Sequence, residues 1–211
     1  MSGAALIETV RVRDGVAPLW RLHRRRLTES CRALGIPIPP KLMPPEGGPD
    51  RVHRLEVSDR GCTVTERALG SVEPVRLVTS AVAHHPYPHK STARAQFEQA
   101  AAEARSAGAD EGMLLTPAGE VAETSIWGVF WWEGDRLCAP PLELGILPGV
   151  ARARIGELVP IEEHRVRLSG LEGRALLLAN AARGIVEVAT LDGIPVPRSP
   201  GTTALRKRFW P

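Results

Sequence analysis

Lysine is nearly missing from this chain of 211 residues. Only three of the 27 basic residues are lysines, Lys41, Lys90 and Lys207, and all the others are arginines. The formal net charge is just +3, and the basic residues are spread along the chain rather than concentrated. This distribution does not favour a nucleic-acid partner. Because arginine supplies almost all of the positive charge, each lysine is a candidate for chemistry that a guanidinium cannot perform.

Patterns of cysteine and of metal ligands are sparse as well. The three cysteines are odd in number and lack C-x-x-C spacing, which predicts neither a disulfide framework nor a zinc site. His84, His85 and His89 lie close together, but no acidic or cysteine residue stands at metal-ligand spacing from them. The sequence therefore predicts no metal site.

A long apolar run is also missing. No segment approaches the roughly 20 apolar residues that span a bilayer, and the N-terminus lacks the basic and then apolar layout of a signal peptide. Since 43% of the residues are hydrophobic and 24% are charged, the composition is typical of a globular protein with a core. We expect a cytoplasmic protein without a membrane partner.

The first part of the chain, residues 1–82, predicts a small α+β domain. Its opening residues alternate apolar and polar side chains as a half-buried strand does, and the Asp14-Gly15 turn predicts a returning strand over residues 16–20. Residues 21–34 have the apolar spacing of an amphipathic helix, which a glycine ends. Short strand-like runs complete this domain.

The remainder predicts a connection and then a larger domain. Residues 83–90 are rich in proline and histidine, which suits neither a long helix nor a central strand, so they predict an interdomain connection. Residues 91–211 predict a larger, β-rich domain. It begins with an Ala-rich helix, capped by Ser91 or Thr92, and alternating strand signals and tight turns follow.

Lys90 lies at the end of this connection, directly before the Ala-rich helix. Lys41, in a proline-rich loop, and Lys207, between two arginines, are expected to be solvated surface charges. A desolvated amine in a cleft between domains has a lowered pKa and can attack a carbonyl to form a Schiff base. Position alone favours a solvated surface charge for Lys90 too, so both interpretations stay open on this ground.

Six short motifs appear in order between residues 6 and 192. They are E-T-V from residue 8, H-R-R-R-L from 23, H-K-S-T-A-R from 89, G-A-D-E from 108, G-E-V-A-E-T-S from 119 and G-I-L-P-G-V from 145. The series resembles the pyridoxal-phosphate enzymes of fold type IV, which are the class IV aminotransferases and aminodeoxychorismate lyases, and it resembles the lyases most strongly. The resemblance implies a two-domain α+β fold like that of D-amino acid aminotransferase, and pyridoxal 5′-phosphate as cofactor.

The resemblance implies roles for three side chains. Lys90 matches the lysine that holds the cofactor as a Schiff base and that moves protons once the substrate amine has freed it. Glu123 matches the carboxylate that pairs with the pyridine nitrogen and keeps it protonated, which makes the ring a stronger electron sink. Arg26 matches the arginine that binds the cofactor phosphate, for which a guanidinium fork is suited. Arg24 and Arg25 point elsewhere around the helix and are expected to be solvated.

The other implied phosphate contacts come from the backbone. Gly149, Val150 and Ala151 match a turn at a helix start, where free N–H groups favour an anion. Asn180 and Ala181 match a second phosphate-binding segment. The chain departs from the family here, because Ala151 stands where threonine is common and Ala181 stands where many relatives have a hydroxyl. We therefore expect a phosphate site that depends on backbone donors and one arginine, with weakened cofactor affinity.

The function implied by the resemblance is that of a lyase, which converts 4-amino-4-deoxychorismate to 4-aminobenzoate and pyruvate in folate biosynthesis. The same motifs fit an aminotransferase for D- or branched-chain amino acids, because specificity lies in variable loops. A hypothesis of another class is a cofactor-free relative that serves as a binding protein, suggested by the two alanines in the phosphate site.

The resemblance also implies partners. They are a small-molecule amino substrate and a second copy of the chain in a homodimer. The chain begins near the E-T-x-R strand, as do lyase domains fused to aminodeoxychorismate synthase, and we therefore expect that synthase as a functional partner.

Overall fold

The computed structural model describes residues 4–70 and 73–211. The helices are α1 (Trp20–Leu34), α2 (Ala95–Ser106), α3 (Val150–Gly156) and α4 (Pro200–Arg208), with short 3₁₀ turns at Leu142–Leu144 and Leu168–Leu171. The strands are β1 (Leu6–Val12), β2 (Arg51–Ser58), β3 (Gly61–Arg67), β4 (Val75–Ala83), β5 (Glu111–Leu115), β6 (Val121–Thr124), β7 (Gly128–Glu133), β8 (Arg136–Ala139), β9 (Ile161–Glu163), β10 (Leu176–Asn180), β11 (Gly184–Leu191) and β12 (Ile194–Pro195). Among these helices none has the length and apolar character needed to cross a membrane.

The small sheet consists of β1, β2 and β3 in antiparallel order, with α1 against it. Apolar side chains of α1 and the sheet share one core, with Leu6 and Val57 from the strands and Leu27 and Cys31 from the helix. α1 ends as predicted at Gly35, whose φ of 66° lies in the left-handed region that residues with a Cβ avoid. The predicted strand and amphipathic helix are both present.

The predicted returning strand over residues 16–20 is wrong. The tight turn after β1 joins a single pair of residues, Arg13 and Val16, and α1 begins shortly afterwards. Pro18 has no N–H with which to continue a ladder. β1 pairs instead with β2 along its whole length, from Leu6 opposite Val57 onwards.

The larger sheet closes on itself. Its strands run in the order β10-β11-β4-β5-β6-β7, and β7 pairs back with β10, so that six strands form a closed barrel. Closure removes the exposed edges that an open sheet would present. Each of the six strands contributes side chains to one apolar cluster, among them Trp131, Met113 and Leu178, and this cluster fills the barrel. β8, β9 and β12 extend the sheet outside the ring.

The boundary between the small sheet and the larger sheet falls before residue 82, where the sequence predicts the end of the small domain. β4 falls within the predicted small domain, yet it pairs in parallel with both β5 and β11 of the barrel. Its short apolar run does not specify which sheet it joins, since parallel partners lie far away in sequence. The structure groups residues 75–82 with the barrel.

The segment after Lys90 joins the small sheet instead of starting a helix. The N–H of Ile7 donates to the carbonyl of Lys90 at 2.7 Å, and Thr92 Oγ1 accepts the N–H of Ala5 at 3.0 Å. The prediction that Ser91 or Thr92 caps the Ala-rich helix is therefore wrong, and α2 begins after Arg94 without a side-chain cap. These bonds fix the backbone of Lys90 beside β1.

Candidate active site

A cavity of about 220 Å³ lies between the small sheet and one end of the barrel. At that end the β6–β7 and β10–β11 turns meet, because Gly128 is paired with Ala179. All eight residues to which the resemblance gives a role line this cavity, namely Arg26, Lys90, Glu123, Gly149, Val150, Ala151, Asn180 and Ala181. The structure thus brings the predicted residues together, while their contacts with a cofactor stay a prediction.

The Lys90 side chain is partly buried in this cavity. Burial lowers the pKa of its amine from 10.5 to about 7, and the positive charges of Arg26 and Arg94 add to this effect. The carboxylates of Glu8 and Glu123 oppose it. A large share of the amine is therefore neutral at pH 7, which is the form that attacks a carbonyl.

Glu123 is positioned by two hydrogen bonds that reach one of its oxygens. The residue is 6% exposed, and Oε1 lies 3.0 Å from His84 Nε2 and accepts the N–H of Leu147 at 3.2 Å. Oε2 has no hydrogen-bond partner within residues 4–70 and 73–211. The carboxylate thus keeps one oxygen for a group bound in the cavity.

Arg26 is held by a buried carboxylate that sequence reasoning left without a role. Its Nε and Nη2 donate to Glu8 Oε1 and Oε2 at 2.9 and 2.6 Å, and His23 Nδ1 lies 2.6 Å from Glu8 Oε2. Burial raises the pKa of Glu8, but the charge of Arg26 and the bonds from both partners outweigh it and lower the pKa to about 2. Burial also lowers the pKa of His23. Glu8 therefore fixes one edge of the Arg26 guanidinium, and the arginine reaches the cavity with its position set.

Backbone donors occupy another wall, at the start of α3. Gly149 precedes the helix with no side-chain cap, and the first N–H bonded back to it belongs to Ala153. The N–H groups of residues 150–152 therefore have no acceptor within the helix. Asn180 Oδ1 accepts the N–H groups of Ala182 and Arg183 at 3.0 and 2.8 Å, so Asn180 shapes the β10–β11 turn.

The residues present fit pyridoxal phosphate in their chemistry. Lys90 offers an amine of lowered pKa for an aldehyde, and Glu123 offers a free carboxylate oxygen for a protonated ring nitrogen. Arg26 and the N–H groups that start α3 offer donors for a phosphate. All of them border one cavity, so a single ligand could contact each of them.

Arginine lines this cavity far more than the sequence suggested. Besides Arg26, the side chains of Arg54, Arg67, Arg94, Arg152 and Arg183 border it. The direction of Arg94 was open from sequence; it points into the cavity, where its guanidinium donates to the carbonyl of Ser125 and lies 5.0 Å from the Phe97 ring centroid. The strand ends and turns that carry these arginines are distant in sequence, so no local pattern connects them.

One cluster of possible metal ligands lies outside the cavity. Atoms of Glu133, Cys138 and His164 come within 4.8 Å of one another. Glu133 already accepts hydrogen bonds from Trp131 Nε1 and from Arg174. Burial, together with nearby carboxylates, raises the pKa of Cys138 to about 11, so its thiol is a poor ligand. These contacts are typical of an ion-pair cluster rather than of a metal site.

Comparison with known proteins identifies the class. Residues 62–191 match the family model of class IV amino-transferases, and the chain belongs to this family of enzymes. A stretch of 72 residues is 40% identical to aminodeoxychorismate lyase of Bacillus subtilis (strain 168). That stretch covers 34% of this chain and only 25% of the relative.

Solved structures show the same fold. A Legionella pneumophila protein provisionally described as 4-amino-4-deoxychorismate lyase superimposes with a TM-score of 0.81 at 24% identity, covering 95% of this chain and 88% of that one. The T.th. branched-chain amino acid aminotransferase, solved with N-(5′-phosphopyridoxyl)-L-glutamate, superimposes with a TM-score of 0.85 at 20% identity, covering 99% and 84%. At these identities the likeness concerns the fold alone. The predicted α+β architecture of fold type IV is confirmed.

Proposed function

We propose that the protein is a pyridoxal 5′-phosphate-dependent lyase that converts 4-amino-4-deoxychorismate to 4-aminobenzoate and pyruvate. The observation that carries the proposal is one cavity in which an amine with a pKa of about 7 stands among several arginines. The amine suits the cofactor, and the arginines suit a substrate that bears two carboxylates. The 40% identity to a lyase over 72 residues supports the same choice.

Each role in the proposed reaction is assigned to residues of this chain. Lys90 would hold the cofactor and, once released, take a proton from the substrate carbon beside the amine. Glu123 would keep the ring nitrogen protonated through its free oxygen, and Arg26 with the N–H groups that start α3 would hold the phosphate. The bound cofactor would supply an electron sink for the charge left on the substrate. The bond between the ring carbon and the enolpyruvyl oxygen would then break, and the proton that Lys90 took would pass to the methylene carbon of that group. Pyruvate would leave, and the ring that remains would be aromatic.

An aminotransferase for D- or branched-chain amino acids is the second candidate. Apolar side chains of Ile126, Val129, Phe130 and Leu147 also line the cavity, and they could receive an aliphatic side chain. A cofactor-free binding protein has less support, because the Lys90 amine with its lowered pKa and the Glu123 carboxylate with its free oxygen border one cavity.

The test uses protein reconstituted with pyridoxal phosphate. We expect a visible absorbance band, and formation of 4-aminobenzoate when 4-amino-4-deoxychorismate is supplied. A parallel assay supplies D- and branched-chain amino acids with 2-oxoglutarate. Turnover in the second assay alone would replace the lyase proposal with the aminotransferase, and a protein without the visible band would contradict both.

We also propose a homodimer, with aminodeoxychorismate synthase as the functional partner that makes the substrate. Both rest on the family resemblance. Light scattering after gel filtration should give twice the mass of the chain, and a monomer at micromolar concentration would contradict the first proposal. The cytoplasmic location stays a prediction.

A further inference from the structure

Two arginines at the mouth of the cavity, Arg67 and Arg183, have no carboxylate partner among the residues that the structure describes. Arg67 is the last residue of β3, where it pairs with Val52, another lining residue. Arg183 lies in the β10–β11 turn at the end of the barrel. Within residues 4–70 and 73–211, no carboxylate comes close enough to either guanidinium to form an ion pair.

The two side chains lie near each other although they belong to different sheets. Nη2 of Arg183 is 4.0 Å from the place that a Cβ on Gly70 would occupy, three residues after Arg67. Burial lowers the pKa of Arg183, the charge of Arg67 lowers it further, and Glu111 opposes both. Arg67 is exposed and Arg183 is partly buried. Two like charges near each other favour an anion between them.

Arg183 is held in place by its surroundings. Its N–H is bonded to Asn180 Oδ1 at 2.8 Å, and Gly184 follows with a φ of 78° that completes the turn. Its Cζ lies 5.9 Å from the ring centroid of Trp127, a residue that is 5% exposed. A guanidinium placed in advance binds a carboxylate with a smaller loss of conformational freedom.

Three other arginines of the cavity are paired with carboxylates. Arg26 is paired with Glu8, Arg54 with Glu56 at 2.7 Å, and Arg152 with Glu163 at 2.6 Å. Arg94 donates to a backbone carbonyl close to Lys90. Among the described residues, the cavity arginines without a carboxylate partner are therefore Arg94, Arg67 and Arg183, and the last two lie at the mouth.

We propose that Arg67 and Arg183 together bind one carboxylate of a dicarboxylate substrate at the mouth of the cavity, while the substrate amine reaches Lys90. The inference rests on the proposed function and adds the residues that select the second acid group. Amino acids with an aliphatic side chain offer no group for this pair, so it distinguishes a dicarboxylate from them.

The test is a calorimetric titration of the pyridoxal-phosphate-loaded protein with chorismate. Chorismate carries both carboxylates of the proposed substrate, and a hydroxyl replaces the amine, so its binding does not depend on turnover. We expect Arg67→Met and Arg183→Met each to weaken binding about tenfold to a hundredfold, as the loss of a charged hydrogen bond would. Arg183→Lys should recover part of the affinity. Arg105→Met is the matched control, because Arg105 is exposed on α2 and should leave the affinity unchanged.

Two results would overturn the inference. One is wild-type protein that does not bind chorismate, and the other is Met variants that bind it as tightly as the wild type. The visible absorbance band of each variant reports an intact site, and Arg67→Gln and Arg183→Gln replace any Met variant that loses the band. The proposed reaction is judged separately, by release of 4-aminobenzoate from the wild type. Chorismate binding that depends on these arginines, without such release, would reject the reaction and keep the binding site.

Discussion

At the scale of single residues, Lys90 is the lysine whose amine the proposed function requires. An arginine in its place would stay protonated and could not form a Schiff base. We expect Lys90→Arg to abolish the visible band and the formation of 4-aminobenzoate. Lys41→Arg and Lys207→Arg should leave both unchanged, because those lysines lie outside the cavity. Turnover by Lys90→Arg would show that another group performs the chemistry.

The lowered pKa of Lys90 predicts how cofactor capture depends on pH. Because the amine has a pKa of about 7 in the folded protein, it is mostly protonated at pH 6 and mostly neutral at pH 8. The rate at which apo-protein acquires the visible band should therefore rise through about pH 7 and level off above pH 8. Stopped-flow absorbance between pH 5.5 and 10 measures it. A rate that keeps rising to pH 10 would indicate a solvated lysine.

The lowered pKa of Glu8 predicts an effect of pH on the stability of the fold. Its pKa falls from 4.5 to about 2 on folding, so the stabilisation is complete above pH 4.5 and is lost as the pH falls towards 2. This difference corresponds to about 3 kcal/mol. Glu8→Gln should lower the free energy of unfolding at pH 7 by about that amount and weaken its dependence on pH between 4.5 and 2. Urea unfolding at several pH values tests this, with the exposed Glu98→Gln as control.

At the scale of elements, local signals decided what the sequence could predict. α1 could be predicted because its apolar spacing and its terminal glycine agree. α4 was missed although its signals are present: Ser199 caps it by accepting the N–H of Gly201 at 3.2 Å, and Pro200 opens it. The basic residues 206–208 form the last turn of α4. Their positive charges lie at the negative end of the helix dipole, and this interaction is favourable.

The close contact between α2 and the barrel requires a glycine at position 112. A Cβ on Gly112 in β5 would lie 2.6 Å from the carbonyl oxygen of Ala100 in α2, and backbone cannot move aside as a side chain does. Gly112→Ala should therefore cost about 1–3 kcal/mol, which lowers the Tm by several degrees.

Gly156→Ala provides the control for this substitution. Gly156 is the last residue of α3, and the nearest atom to its added Cβ would be Ile161 Cδ1 at 3.9 Å. Alanine also favours a helix more than glycine does, so this variant should unfold at the same or a slightly higher temperature. Equal Tm values for Gly112→Ala and the wild type would show that α2 does not pack as described.

At the scale of the whole molecule, the family resemblance predicted the eight cavity residues. Five of them lie within the ordered motifs, and the resemblance also gave roles to Ala151, Asn180 and Ala181. It could not predict Arg67 and Arg183, which belong to no shared motif and meet only because the small sheet faces the end of the barrel. The closure of the barrel could not be predicted from the sequence either, because it includes the pairing of β4 with β11, which lies near the far end of the chain. Such long-range pairing leaves no periodic signal in the sequence.

Because both sheets line the cavity, a ligand there should stabilise the entire fold. Pyridoxal phosphate at a hundred times its Kd would add about 2.7 kcal/mol, which raises the Tm of a domain of this size by roughly 5–10 °C. In Lys90→Ala the covalent contact is gone and only the phosphate donors and Glu123 remain, so the shift should shrink markedly. Thermal unfolding at increasing cofactor concentration measures both shifts. Equal shifts in the two proteins would mean that the cofactor binds away from Lys90, and they would contradict the assignment of this cavity as the active site.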